Sequence, residues 1–215
     1  MDNEIKIPVL NQEQIRVLGA LMEKAKTTPD YYPMTMNGLV AACNQKTSRK
    51  PVVNYDEETI GTALNALKIA GLISTATGGS IRNIKYKHNF AITYPLVPSE
   101  VAVMCLLFLR GPQTPGEINT NSGRLYEFET LEEVIQTLEK LASESYVKQL
   151  PKRPGQKEQR YAHLFSGDVE FMEEDLATDE TAKTNSVLEE RVTKLETELA
   201  ELKENFEKLM QELMG

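Results

Sequence analysis

The chain has 215 residues, 40% hydrophobic and 26% charged, which leaves room for one large or two small soluble domains. No apolar run approaches the ~20 residues of a membrane span, and the N-terminal segment MDNEIKIPVL lacks the apolar stretch of a signal peptide. The net charge of −8 is uneven, because residues 1–165 carry +2 and residues 166–215 carry −10. A near-neutral body with an acidic tail does not by itself indicate nucleic-acid binding.

The first third of the chain predicts three helices and a β-hairpin. Asn11 is placed to cap a helix that runs through residue 26, and Thr35 to cap a short second helix. Asp56 opens a third helix that stops at Gly71. Residues 72–76 and 82–86 flank a Gly78-Gly79 turn, which is a hairpin signature.

The same order of elements follows a second time. A helix over residues 99–111 precedes a short helix opened by Thr114-Pro115, and a third helix covers residues 130–143. Strands are predicted at residues 146–150 and 159–163. Three helices followed by a hairpin is the winged helix-turn-helix arrangement, whose turn and third helix enter DNA in many readers. The predicted fold class is therefore mainly α with small β-hairpins (α+β), built as tandem winged helix-turn-helix domains.

The chain also matches itself, which supports a duplicated unit. At an offset of 75, residues 57–60 match residues 132–135 and residues 85–90 match residues 160–165. Nearer the start the offset is 86, and Ile15 matches Val101. The change of offset fits a loop of different length in the two copies. We predict a first winged-helix domain at 1–92, a second at 93–166, an acidic linker at 167–186 and a coiled-coil helix at 187–215.

The C-terminal segment carries a heptad pattern. Its apolar positions are spaced alternately by four and three residues, which predicts the seam of a parallel coiled coil and therefore a homodimer. The alternative is an amphipathic helix that docks on its own body. The seam consists of Leu188, Val192, Leu195, Leu199, Leu202, Phe206, Leu209 and Leu213.

The residues with reactive side chains suggest no catalysis. Cys43 and Cys105 lie in apolar helical contexts, which predicts buried free thiols in a reducing cytoplasm. His88 and His163 occupy equivalent places after each hairpin, which favours a packing role. No motif of a hydrolase, kinase, nucleotide-binding loop or metal site occurs. We expect a non-enzymatic protein with no cofactor and no bound metal.

Basic residues are concentrated on the two hairpins and in the loop that precedes the third helix of the first repeat. Such positions can hold phosphates, and a dimer would double the contacts. The third helix of each repeat argues against DNA binding, because both helices begin with carboxylates that would repel a DNA backbone. The candidate nucleic-acid or partner contacts are Asn44, Lys46, Arg49, Lys50, Arg82, Lys85, Lys87, Arg124, Lys152, Arg153, Lys157 and Arg160.

Three separated stretches resemble one known family. They are TTPDYYPMTMNGLVAACNQKTSRKPVV, LRGPQTPGEINTNSGRLYEF and LPKRPGQKEQRYAH, which occur in this order and are similar to the YceH family of bacterial proteins. The resemblance covers residues ~10–166 and implies tandem winged-helix domains in a bacterial cytosol, with no established biochemical activity. Among the motif residues, Asn44, Arg49, Arg124 and Lys157 are the hardest to explain by folding alone.

Two functional hypotheses follow. The first is a DNA-associated regulatory protein that uses its basic hairpins and its dimeric tail. The second is a protein–protein adaptor that binds no DNA directly, which the acidic third helices, the negative charge and the coiled coil favour.

Overall fold

Helices and two short hairpins make up the described part of the chain, which in this computed structural model is residues 7–77, 84–152 and 158–167. The helices are α1 (Gln12–Thr27), α2 (Met36–Cys43), α3 (Glu57–Ile69), α4 (Phe90–Thr93), α5 (Pro98–Arg110), α6 (Pro115–Ser122) and α7 (Leu131–Ser143), with a single 3₁₀ turn at Pro29–Tyr31. The strands are β1 (Ile73–Thr77), β2 (Ile84–His88), β3 (Val147–Gln149) and β4 (Tyr161–His163). The predicted mainly helical fold with small antiparallel hairpins is confirmed.

Local side-chain caps fix where the helices begin. The Asn11 side chain accepts the Gln14 N–H while the Gln14 side chain accepts the Asn11 N–H, a reciprocal capping box. Thr35 and Asp56 cap α2 and α3 in one direction only, through a side-chain oxygen that accepts the Gly38 or the Thr59 N–H. Thr114 and Thr130 cap α6 and α7. The predicted starts of the first three helices and of α6 are therefore confirmed, since each depends on chemistry within four residues.

Both hairpins are antiparallel, and each gains one further backbone partner. β1 pairs with β2 and β3 with β4. Met34, just before α2, exchanges two backbone hydrogen bonds with Tyr86 of β2, and Gln113, just before α6, exchanges two with Tyr161 of β4. Tyr86 and Tyr161 are the residues that the offset of 75 equates. In both repeats, therefore, the residue just before the N-cap of the second helix pairs with the tyrosine of the second strand.

The two repeats pack together through equivalent elements. α1 packs against α5, and the 86-residue offset of the internal repeat makes these two helices equivalent. Gly19 is equivalent to Cys105, and the Cys105 thiol donates to the Gly19 carbonyl at 3.5 Å. A Cβ at Gly19 would meet side-chain atoms of Leu109 and Phe108 at 3.0 Å, so glycine permits this close approach. Equivalent surfaces that face each other are the arrangement of a two-fold symmetric dimer, here within one chain.

An aromatic cluster fills the centre of the junction. Phe165 is fully buried and lies 5.3 Å, between ring centroids, from its equivalent Phe90. Tyr94 and Phe108 meet the same ring edge-on at 5.2 and 5.4 Å. Such edge-to-face pairs are favourable beyond their buried area. One continuous core therefore serves both repeats.

Several predictions lie outside the described residues. These are the Gly78-Gly79 turn, residues 153–157 between the two strands of the second hairpin, the linker beyond residue 167 and the whole coiled-coil seam. The division into two domains at residue 92 and the homodimer stay predictions. None of the described helices has both the length and the apolar character to cross a membrane.

Candidate nucleic-acid interface

Arg49 lies inside the protein rather than on its surface. Its side chain is 0% exposed and forms a bidentate ion pair with Glu23 of α1, with N–O distances of 3.1 and 2.6 Å. The same guanidinium donates to the Ala42 carbonyl at the end of α2, to its neighbour's carbonyl at Ser48 and to the Gln45 side chain. Arg49 therefore ties the loop after α2 to α1.

Glu23 is held as a carboxylate by this contact. Burial alone would raise its pKa, but the hydrogen bonds and charge of Arg49, assisted by Lys24, bring the pKa below the ordinary value. The carboxylate thus provides a fixed counter-charge inside the fold. Two-pronged pairing suits the planar guanidinium and fixes its orientation.

Two further side chains hold the same loop by bonds to the backbone. Arg16 of α1 is buried and donates to the carbonyls of Cys43 and Pro51 at 3.2 and 2.6 Å. Asn44 exchanges two hydrogen bonds of 2.8 Å with the backbone of Tyr55. Asn44 and Arg49 were singled out as contact residues, and the structure gives both a clear role inside the fold.

The exposed cations of the first repeat stand on this loop and on the hairpin. Lys46 and Lys50 are exposed on the two sides of the buried Arg49. On β2, Lys87 is exposed and Lys85 half-buried, while Tyr86 between them packs against the core. Arg82 lies outside the described residues. The internal network therefore fixes a backbone from which lysines project outward.

The basic residues of the second repeat are differently arranged. Arg160 forms a two-pronged ion pair with Glu117 of α6, at 2.8 and 2.9 Å, and donates to the Pro112 carbonyl. Arg124 and Lys152 are exposed. Arg153 and Lys157 lie outside the described residues. Arg160 is thus engaged in holding β4 to α6.

The third helices present carboxylates in both repeats. Glu57 and Glu58 are exposed in the first turn of α3. In α7 the exposed carboxylates extend further along the helix, at Glu132 and Glu139 and at Glu144 just past its end. Since α3 carries no carboxylate after its first turn, the first repeat offers the less acidic face.

The two histidines are neutral packing groups. The His163 imidazole meets Phe108 edge-on at 4.9 Å, and burial lowers its pKa to about 4. Burial also lowers the pKa of His88, whose backbone N–H donates to the Tyr32 hydroxyl. In both rings Nδ1 is buried without a hydrogen-bond partner in the described part of the chain. The expected packing role agrees with these contacts.

Burial of His163 should make the protein less stable in mild acid. Its folded pKa of about 4 lies below the ordinary 6.5, so between these values the unfolded chain binds more protons and stability falls as pH falls. In urea melts we expect the free energy of unfolding to drop by up to about 1.4 kcal/mol per pH unit across this window. His163→Gln should remove most of this slope, with a smaller remainder from His88. Equal slopes in the two proteins would contradict the assignment.

The remaining reactive groups show no constellation for chemistry. Cys43 and Cys105 are buried free thiols, as predicted, and burial raises the pKa of Cys43 to about 12. Within residues 7–77, 84–152 and 158–167 no three histidine, cysteine or carboxylate side chains cluster in a way that could hold a metal ion.

The sequence analysis did not predict the residues that pair with the engaged arginines. Glu23, Arg16 and Glu117 were not singled out, although they decide which cations stay exposed. Glu23 lies 26 residues before Arg49 and on a different element, so no local spacing connects them. The pairing of Arg160 with Glu117 spans 43 residues.

Comparison with known proteins identifies relatives over most of the chain. The family described as "Protein of unknown function, DUF480" matches residues 10–156. A UPF0502 protein of Solibacter usitatus is 50% identical over 92% of this chain and 95% of its own length. One of Opitutus terrae is 47% identical over 76% of this chain and 72% of its own. The UPF0502 protein YceH of Escherichia fergusonii is 42% identical over 95% and 97%. The resemblance to the YceH family is thereby confirmed.

Proposed function

The chain belongs to the DUF480 family of proteins of unknown function, and we propose that it is a non-enzymatic, DNA-associated regulatory protein of the cytoplasm. In this proposal the first repeat contacts the phosphate backbone of duplex DNA through Lys46, Lys50, Lys85 and Lys87. The observation that carries it is the buried Arg49–Glu23 pair, which fixes the loop after α2 while Lys46 and Lys50 point to solvent.

The position of this loop in the fold supports the proposal. It joins α2 to α3, the place of the turn in a helix-turn-helix unit, and the hairpin that follows α3 corresponds to the wing. Lysines on a rigid backbone lose less entropy on binding than lysines on a mobile loop. Contacts of this kind would position the protein on DNA without reading its sequence.

A dimeric C-terminal tail would strengthen DNA binding. A homodimer formed through the heptad seam would present two first repeats to one duplex, so that the second contact becomes intramolecular. The acidic character of the tail would keep that region away from phosphates.

The test is a salt titration of binding to a 20-base-pair duplex by fluorescence anisotropy. Neutralising about four phosphates gives a slope of log K against log salt of about −3.6 per protomer bound. Lys46→Glu with Lys50→Glu should weaken binding and make this slope shallower by about 1.8. The matched control, Arg124→Glu with Lys152→Glu, makes the same change of charge in the second repeat and should have the smaller effect.

Equal losses from the two double variants would mean that net charge, and not the first repeat, governs binding. The absence of any saturable binding at 50 mM salt would contradict DNA association altogether.

The second candidate is a protein–protein adaptor, which the exposed carboxylates of α7 favour. A face with Glu132 and Glu139 suits a basic protein surface better than a phosphate backbone. The absence of saturable DNA binding would favour this candidate, and Glu132→Gln with Glu139→Gln should then weaken association with a basic model peptide such as oligolysine.

A further inference from the structure

A cavity of about 300 Å³ lies at the junction of the two repeats, between α1, α4 and α5. Its walls are mainly apolar, with Met22 of α1, Ala91 of α4 and Val101 of α5 among them. Among the described residues Lys26 is the one charged residue in the lining, and His88 contributes an imidazole. A mainly apolar cleft with a few polar groups is the usual form of a small-molecule site, and this volume is at the small end of that range.

The internal repeat shows how the two copies differ at this cavity. By the offsets of 86 and 75, Met22 is equivalent to Phe108 and His88 to His163. In the second repeat the Phe108 ring packs edge-on against His163, with the centroids 4.9 Å apart. In the first repeat a flexible thioether replaces that ring. The first repeat therefore has a thioether beside its histidine where the second has an aromatic ring.

Of the two polar groups around the cavity, Lys26 is particular to the first repeat, whereas the unpaired Nδ1 of His88 has a counterpart in His163 of the second repeat. His88 Nδ1 is buried and has no hydrogen-bond partner among the residues that the structure describes. Unpaired buried polar atoms are uncommon in native proteins. Lys26 is exposed in the last turn of α1, and the equivalent position in the second repeat is Pro112. An ammonium group thus stands at this cavity, where the second repeat carries no charge at the equivalent position.

We propose that this cavity binds a small aromatic monocarboxylate, whose ring takes the place that Phe108 takes beside His163 and whose carboxylate pairs with Lys26. The ring would lie against His88 and the side chains of α1 and α5. A ligand of about 11 non-hydrogen atoms fits the volume, and its affinity would be on the order of 0.1–1 mM.

Such a ligand would touch helices from both repeats. Because it binds the folded chain alone, it would raise the melting temperature by mass action. This inference does not depend on DNA association, so either can fail without the other.

The experiment uses the full chain with ¹³C-methyl-labelled methionine and titrates 3-phenylpropionate. We expect saturable chemical-shift changes at the Met22 methyl, with little change at Met36, which lies on α2 and does not line the cavity. Phenethylamine, with the same ring and the opposite charge, should bind at least about fivefold more weakly. Lys26→Gln should weaken phenylpropionate binding about fivefold, whereas Lys68→Gln, an exposed lysine of α3, should not.

The decisive variant is Met22→Phe, which gives the first repeat the residue of the second. It should abolish binding and leave the melting temperature unchanged or higher. Undiminished binding in a folded Met22→Phe protein would overturn the proposal. If that variant does not fold, the wild-type titration still decides: shifts that do not saturate, that are equal at Met22 and Met36, or that phenethylamine reproduces at equal concentration would each overturn it.

Discussion

Replacing Arg49 with methionine should lower the free energy of unfolding by up to about 3–5 kcal/mol, because the carboxylate of Glu23, only 14% exposed, loses its bidentate partner and is left with Lys24 at 3.1 Å. It also removes the donors that satisfy the carbonyls of Ala42 and Ser48. Urea melts at pH 7 measure the loss. Lys46→Met is the matched control, since it changes an exposed cation of the same loop and should alter stability by less than about 0.5 kcal/mol.

A double-mutant cycle isolates the ion pair from the other contacts of Arg49. Glu23→Met combined with Arg49→Met should be clearly more stable than the sum of the two single losses predicts, because the second substitution removes the uncompensated charge. Strict additivity would show that Glu23 and Arg49 do not depend on each other.

The pH dependence provides an independent check. In the wild type the lowered pKa of Glu23 contributes stability that is present above the unfolded pKa and lost as pH falls. In Arg49→Met the effect of burial on Glu23 is opposed by Lys24 without the help of Arg49, so the pKa of Glu23 rises and acid destabilises this variant less than the wild type. The difference in stability between the two proteins should therefore shrink between pH 7 and pH 4. A constant difference would argue against a buried carboxylate.

Phe165→Ala should also cost about 3–5 kcal/mol, because it opens a cavity at the centre of the aromatic cluster. The lost ring contacts Phe90 and Tyr94 on one side and Phe108 and Tyr146 on the other. Since these residues come from both repeats and the segment between them, the loss should lower the stability of both repeats together. Thermal and urea unfolding should each remain a single transition at reduced stability.

Ile92→Ala is the control for this substitution, because Ile92 lies in the neighbouring α4 and is 83% exposed. Its effect should stay within about 0.5 kcal/mol. A loss below about 1 kcal/mol in Phe165→Ala, or two separate transitions, would mean that the repeats do not share one core.

The two repeats differ in how they pack around their histidines and in how their basic residues are used. In the second repeat Phe108 closes the space beside His163 and Arg160 is engaged with Glu117. In the first, Met22 lines a cavity beside His88 and the lysines of the loop are exposed. The two copies of the unit therefore share an inward-facing arginine but differ at this cavity, and both proposals rest on features of the first copy.

The sequence alone determined the order of the elements, the helix caps and the duplication. Each helix cap depends on a backbone N–H only three residues away, as at Asn11, Thr35, Asp56 and Thr114. Apolar periodicity predicts which face of a helix is buried, but it does not predict which element packs against that face. Only the tertiary structure decided that α1 faces α5, that Phe90 meets Phe165, and that Arg49 turns inward while Lys46 and Lys50 stay outside. The direction of a charged side chain depends on whether a distant residue supplies its counter-charge, and Glu23 becomes a neighbour of Arg49 only when the helices pack.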